Sequence, residues 1–234
     1  MTEPEKREGS MDRRSWLEER RRVAKERFDT TFSPTYDQDD IPITPTHRRF
    51  VTQVTERCPQ NGRILDAACG TGKYFALVLE SGRQVLGIDQ SAGMLSVARA
   101  KHPDVPTQKV GLQEMDFDAA FDAAICVDAM ENVFPEDWAP VLSNLRRAVR
   151  PGGLVYFTVE TIDEREIEAV FAKATADGLP VVRGEHPIRG GGYHFYPSLV
   201  QVAAWIEGVG LTVIEDGRSE GNNYGYYHAL CSSG

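Results

Sequence analysis

Short apolar runs alternate with segments of helical spacing along most of the chain. From residue 63, RILDAA, QVLGID, FDAAICVD and LVYFTVE are near-continuous apolar stretches, the pattern of strands covered on both faces. VPTQKV is a weaker stretch of the same kind. Between them, GKYFALVLESG ends on Gly82, SAGMLSVARAKH stops at Pro103, and PEDWAPVLSNLRRAVRPGG carries its own glycine stop; each is predicted as a helix. Such alternation predicts an α/β, doubly wound, mostly parallel sheet with helices on both faces.

After Glu160 the rhythm changes. Residues 163–177 read as a helix, 178–196 as a long loop or small strands, and PSLVQVAAWIEGVG as another helix. LTVIEDG and YGYYHALC then read as two strands joined briefly, an antiparallel hairpin at the sheet edge. The departure over residues 161–196 is expected to be a cap insertion after strand five.

Ahead of the first strand the pattern is thinner. Residues 1–12 are expected to be disordered. Ser15 and Glu18 are expected to form a capping box for a helix with a sparse stripe of Trp16, Val23 and Phe28 and a solvated arginine run, Arg20 to Arg22. TFSPTYDQDDIPITPT has loop composition. Thr44 followed by Pro45 predicts a helix start, with the end near Cys58 and Pro59. The expected organisation is an extension over 1–43, helical and then looping over the site, and a domain over 44–234 with its insertion at about 161–196.

Composition narrows the function classes. The 234 residues suit one domain with a substantial core. No stretch has the roughly 20 apolar residues of a membrane helix, and the polar N-terminus lacks a signal-peptide core, so a cytoplasmic protein is expected. A net charge of −9 disfavours nucleic acid as a partner, because phosphate binding needs a positive field. Cys58, Cys69, Cys126 and Cys231 are scattered and read as reduced structural thiols. The histidines show no zinc-ligand spacing, and no metal is expected.

The candidate chemistry begins at ILDAACGTGKY, residues 64–74. Ligands of open parallel sheets bind at the carboxyl ends of the strands. Gly70 and Gly72 let the backbone turn sharply and let a ligand lie against it. Asp66 ends the first strand, and Asp89 ends the second, where it suits ribose hydroxyls. A dinucleotide or S-adenosylmethionine fits such a plan. The dinucleotide fingerprint has a third glycine where Phe75 stands here. Asp66 suits an ammonium group better than a pyrophosphate.

Taken together, LDAACGTG, GIDQSAGML, VGLQEMDF, FDAAICVDAMENV and LRRAVRPGGLVYFTVE resemble successive motifs of the class I S-adenosylmethionine-dependent methyltransferases, over about residues 45–232. The resemblance implies a Rossmann-like methyltransferase fold, a seven-stranded sheet with the last strand antiparallel, and S-adenosylmethionine as cofactor. It implies that Asp66, Ala67, Gly70 and Gly72 line the methionine moiety, with Asp66 near its amino group. Asp89 would hold the ribose, with Gln90 and Met94 flanking the adenine. Leu112 and Gln113 stand where the family often has Asp-Ala or a similar pair; the acid is missing here, so Gln113 would meet adenine through its amide. Asp128 would face the methionine end, and Tyr36 would close over the cofactor.

Other readings stay open: Asp128 also suits a helix cap, Tyr36 a packed aromatic, Lys73 a plain helix surface, and Gly190 to Pro197 an ordinary turn. Transfer from an activated methyl needs mainly alignment and exclusion of water, plus a general base when the nucleophile is protonated. His194, Glu131 and His47 are the candidates for that base. Tyr193, Tyr196 and Asn132 are candidate acceptor contacts.

Val127-Asp128-Ala129-Met130 differs from the Asn/Asp-Pro-Pro-Tyr of adenine-amino methyltransferases. Cys126 lacks the preceding proline of cytosine-carbon enzymes. A small-molecule acceptor, plausibly of specialised biosynthesis, is the expectation; assembly as a homodimer or hetero-complex is left open. The competing reading is a cofactor-binding protein of this fold that transfers no methyl, promoting elimination or cyclisation or serving as a binding subunit.

Overall fold

The computed structural model describes residues 12–38, 42–221 and 224–234; most of the segment expected to be disordered lies outside them. The main sheet has seven strands: β1 (Arg63–Ala67), β2 (Gln84–Asp89), β3 (Thr107–Lys109), β4 (Phe121–Cys126), β5 (Val149–Thr161), β8 (Leu211–Glu220) and β9 (Gly225–Ser233), in the order β3-β2-β1-β4-β5-β9-β8. β1 to β5 pair in parallel. β9 runs antiparallel to both β5 and β8, as the resemblance implies. A separate hairpin joins β6 (Glu185–Ile188) to β7 (Gly192–Phe195).

Alternation within the apolar runs explains the double winding. Ile64, Val85, Ile125 and Tyr156 face the cluster containing α2 (Pro45–Arg57), α3 (Phe75–Glu80) and α4 (Ala92–Lys101). Their neighbours Leu65, Leu86, Cys126 and Phe157 face α5 (Trp138–Ala148) and α7 (Leu199–Gly208). Each fully buried large apolar side chain contributes ~1.5–3 kcal/mol, so two filled faces favour this register strongly. α6 (Glu164–Ala176) lies beside the β6–β7 hairpin.

The helix starts follow local chemistry. Thr44 caps α2 with Pro45 in its first turn, and Ser91 caps α4 by accepting from Met94 N at 3.1 Å. At α1 (Arg13–Glu26) the expectation is corrected. Asp12, not Ser15, is the cap: its Oδ1 accepts from Ser15 N at 3.1 Å, while Glu18 pairs with Arg14. A carboxylate one turn earlier reaches the free N–H groups first, and its charge suits the helix dipole. The chain continues past α1 as a wider π-helical segment over Arg27–Phe32, so the loop begins later than composition suggests. α3 begins only at Phe75, because residues 70–74 form the ligand turn.

Three of the polar ties between the extension and the rest bear on the site and its surroundings. Arg13 forks onto Glu185 of β6 at 2.9 and 3.0 Å, with that carboxylate fully enclosed. Asp29 Oδ1 accepts from Ser91 Oγ at 2.8 Å and Gly93 N at 3.2 Å. A Cβ on Gly93 would meet Asp29 O at 2.2 Å, so this docking requires glycine. Asp37 accepts from Thr71 Oγ1 at 2.7 Å and Lys101 Nζ at 2.9 Å.

Candidate active site

The turn after β1 is built on left-handed backbone. Ala68, Gly70 and Gly72 have φ of 60°, 53° and 78°. A side chain on Gly70 would meet no protein atom within 4 Å, so the space above it is free for a ligand. The space beside Gly72 is filled: a Cβ there would lie 2.7 Å from the Phe75 ring. A Cβ on Gly87 of β2 would lie 2.4 Å from the same ring. Phe75 thus occupies the room beneath the turn that a dinucleotide fingerprint keeps for close helix packing.

Two carboxylates flank this turn at adjacent strand ends. Asp89 holds it in shape: Oδ2 accepts from Gly70 N at 2.9 Å and Oδ1 from Ser91 N at 2.8 Å. Burial still raises its pKa above 3.8 against those two bonds. Asp66 is 2% exposed, and its Oδ2 has no hydrogen-bond partner among the described residues. Burial first, then the charge of Asp89, push its pKa well above 3.8. A buried carboxylate in that condition is costly unless a donor arrives. The cationic amino group of S-adenosylmethionine is such a donor, so the residues present fit that cofactor.

The cleft has two lobes. The first spans about 660 Å³ counted with its open mouth. Asp89, Gln90, Met94, Leu112 and Gln113 line it, with Gly70 on its floor and Phe28 and Tyr36 from the extension. The second lobe, about 2830 Å³ with its open mouth, contains His47, Lys73, Glu131, Glu160, His194 and Tyr226. Phe28, Tyr36, Asp128 and Asn132 line both and so mark the junction.

Asp128 sits at that junction with φ 53°, a strained conformation of the kind that clusters at functional sites. Its N–H donates to Thr158 Oγ1 at 2.8 Å; it caps no helix. His47 Nε2 lies 3.1 Å from Asp128 Oδ1, and His47 Nδ1 lies 2.6 Å from Thr44 Oγ1. The carboxylate only accepts, which assigns the Nε2 proton. Burial opposes ionisation of Asp128, but hydrogen bonding and charge from His47, then Lys73 and Tyr226, leave its pKa below 3.8.

His194 differs. Its Nδ1 lies 3.0 Å from Tyr196 Oη and 2.9 Å from Glu160 Oε2, and its Nε2 has no hydrogen-bond partner among the described residues. Both nitrogens of His47 are engaged, whereas His194 keeps one free.

Several expected contacts are corrected. Ala67 is fully enclosed in the core, and Ala68 lines the cleft in its place. Tyr193 points away from the cleft: it packs between Trp16 and Phe134 and donates to Glu185 Oε1 at 2.7 Å. Strand alternation on β7 then puts His194 on the cleft side. Tyr196 does not line either lobe; it stands behind His194. Lys73 does more than cover a helix, lining the second lobe with Nζ 4.0 Å from Asp128 Oδ2. Glu160, Phe28, Tyr224 and Tyr226 are cleft residues that sequence reasoning did not assign.

Comparison with known proteins agrees with this geometry. The family model described as "Methyltransferase domain" matches residues 64–153. A putative methyltransferase, YqeM, of Bacillus subtilis is 35% identical over 143 residues, covering 58% of this chain and 57% of that protein. The malonyl-[acyl-carrier protein] O-methyltransferase of Serratia marcescens is 25% identical over 68% of each chain. The ubiquinone biosynthesis O-methyltransferase of Paracidovorax citrulli is 33% identical over 42% of this chain and 44% of its own. The chain therefore spans from under half to about two thirds of these curated relatives.

Among solved structures, the 1,6-didemethyltoxoflavin-N1-methyltransferase of Burkholderia thailandensis superposes with a TM-score of 0.71 at 16% identity, over 92% of this chain and 89% of its own. The magnesium protoporphyrin IX methyltransferase of Synechocystis gives 0.68 at 14% identity, over 92% and 100%. Fold, glycine turn and family match converge: residues 64–153 match a methyltransferase domain, and the chain is similar to the class I S-adenosylmethionine-dependent methyltransferases, a family whose cofactor is S-adenosylmethionine.

Proposed function

We propose that this protein transfers a methyl group from S-adenosylmethionine to a small-molecule acceptor held in the second lobe. The observation that carries the reading is the enclosed Asp66 carboxylate, without a donor on Oδ2, at the strand end just ahead of a turn whose Gly70 and Gly72 line a cleft of two joined lobes. The cofactor supplies a methyl carbon already activated by sulfonium. Asp66 holds its ammonium, and Asp89 uses its remaining lone pairs for the ribose hydroxyls. Gln90, Met94, Leu112 and Gln113 surround the adenine, and Tyr36 covers the cleft. Asp128 and Asn132 set the junction where donor and acceptor meet.

The protein's part is then alignment and exclusion of water. The acceptor's lone pair forms the new bond to the methyl carbon as the carbon–sulfur bond breaks. Any proton on the acceptor passes to His194 Nε2, with Tyr196 and Glu160 fixing the ring from the Nδ1 side. His47 is assigned a positioning role, because both its nitrogens are already bonded. Glu131 is assigned to binding and is taken up below. Relatives named for ubiquinone biosynthesis and for toxoflavin and porphyrin substrates support a metabolite acceptor. A place in specialised biosynthesis and a cytoplasmic location extend the same reading.

Calorimetry with S-adenosylhomocysteine tests the cofactor assignment: saturable binding is expected, and no heat of association refutes it. Formation of S-adenosylhomocysteine during turnover separates transfer from sulfonium-assisted elimination, which releases none.

A further inference from the structure

The second lobe is unusually acidic for its depth. Asp37, Asp128, Glu131, Glu160 and Glu220 line it against only two lysines. Lys101 is committed to Asp37 at 2.9 Å, and Lys73 lies closest to Asp128. Glu131 and Glu160 are 7% and 5% exposed; Glu131 Oε2 has no hydrogen-bond partner among the described residues, and Glu160 Oε2 meets His194 Nδ1 at 2.9 Å. Asn132 Nδ2 donates to the other oxygen of Glu131 at 2.9 Å. His194 is the basic group in direct contact with Glu160. Burial, then the charges of Glu160 and Asp128, push the Glu131 pKa well upward, so the two acids repel one another.

These two acids do not serve the cofactor lobe, since neither lines it. No cluster of three metal-ligating side chains occurs among the described residues, so a metal does not account for them. The lobe also presents five aromatic rings: Phe28, Phe32, Tyr36, Tyr224 and Tyr226. Aromatic faces beside paired carboxylates form the environment that attracts an organic cation. A protonated nitrogen between Glu131 and Glu160 would end their repulsion and supply the donor that Glu131 Oε2 lacks.

Resting on the methyltransferase reading above, we propose that the acceptor is a nitrogen base, bound as its cation by the Glu131–Glu160 pair within the aromatic lobe. The pair acts as an anchor for the charged nitrogen. It thereby selects against neutral and acidic acceptors of the same shape, which would leave the acids unpaired or meet their repulsion.

The test uses protein saturated with S-adenosylhomocysteine and three matched probes: tyramine, its alcohol tyrosol and its acid 4-hydroxyphenylacetate. Binding is followed by ligand-observed NMR titration. Tyramine is expected to bind about tenfold tighter than tyrosol, the scale of one charge-assisted contact, with the acid weakest. In the Glu131→Gln, Glu160→Gln double variant, tyramine is expected to fall to the level of tyrosol while S-adenosylhomocysteine affinity stays unchanged. Equal binding of tyrosol, preference for the acid, or no saturation by tyramine overturns the proposal on the wild-type protein alone. A preference that survives the double substitution also overturns it. Loss of S-adenosylhomocysteine affinity in that variant reassigns the acids to the cofactor. Failure of the wild-type protein to bind S-adenosylhomocysteine at all is the separate failure of the methyltransferase reading.

Discussion

Replacing Asp66 by asparagine separates a ligand-holding carboxylate from one that holds the fold. The side chain is 2% exposed and its Oδ2 meets no donor, so the unliganded fold gains nothing from the charge. On the proposed reading, the carboxylate would take the ammonium of bound S-adenosylhomocysteine. A hydrogen bond to a charged partner is worth about 1.5–3 kcal/mol, so Asp66→Asn should weaken binding roughly ten- to hundredfold. 5′-Methylthioadenosine lacks the amino acid moiety and should bind both proteins equally.

Stability should move the other way. A carboxyl whose folded pKa is raised contributes stability below its unfolded value, near 3.8. That contribution is lost as pH rises through the folded pKa. At pH 7 the unliganded variant should therefore melt no lower than wild type, and any advantage should vanish below pH 3.8. Calorimetric titration with both ligands, with melting curves at several pH values, gives the answer. An equal loss of affinity for both ligands, or a variant that melts lower at pH 7, refutes the assignment.

The two glycines of the turn should respond differently to alanine. Gly70→Ala meets open space and should cost ~1–2 kcal/mol through its φ while reducing cofactor affinity. Gly72→Ala drives a methyl into the Phe75 ring and should lower the melting temperature further. Equal melting temperatures would contradict this. Arg13→Ala strands the enclosed Glu185 carboxylate and should cost about 3 kcal/mol in urea unfolding; a loss under about 1 kcal/mol, the scale of an exposed pair, would show that the pair does little. His228 is fully buried between Tyr156 Oη and Ser219 Oγ, both at 2.8 Å. Burial, then the nearby His47, lower its pKa to about 4. The unfolded chain protonates first, so stability should fall by about 3 kcal/mol as pH drops from 6.5 to 4. His228→Gln should flatten that dependence, and an unchanged pH profile would refute it.

The sheet was legible because its strands are covered on both faces, which leaves apolar runs too short for long helices. Asp66 and Asp89 could be found because each is an acid closing such a run. Glu160 closes LVYFTVE in the same way, but that signal went unused at this position. Tyr193 and His194 were harder to assign. On a strand as short as β7, nothing in the sequence fixes which parity faces inward; the packing of Trp16 and Phe134 decides it. Lys73 was hidden because the helix pattern starts at Gly72, whereas the backbone first completes a turn that brings Lys73 to the cleft. Asp12 and Ser15 both have capping chemistry, and one turn of helix separates the two choices.

Asp89 grips the amides of Gly70 and Ser91 through protein contacts alone. The adenosyl cradle is therefore shaped when the chain folds, and its ordering entropy is met once in the protein's lifetime instead of at every turnover. Spent cofactor can be exchanged for fresh without remaking the recognition surface. The pace of that exchange is then governed by the contacts the departing molecule must break, and not by any reassembly of the loop behind it.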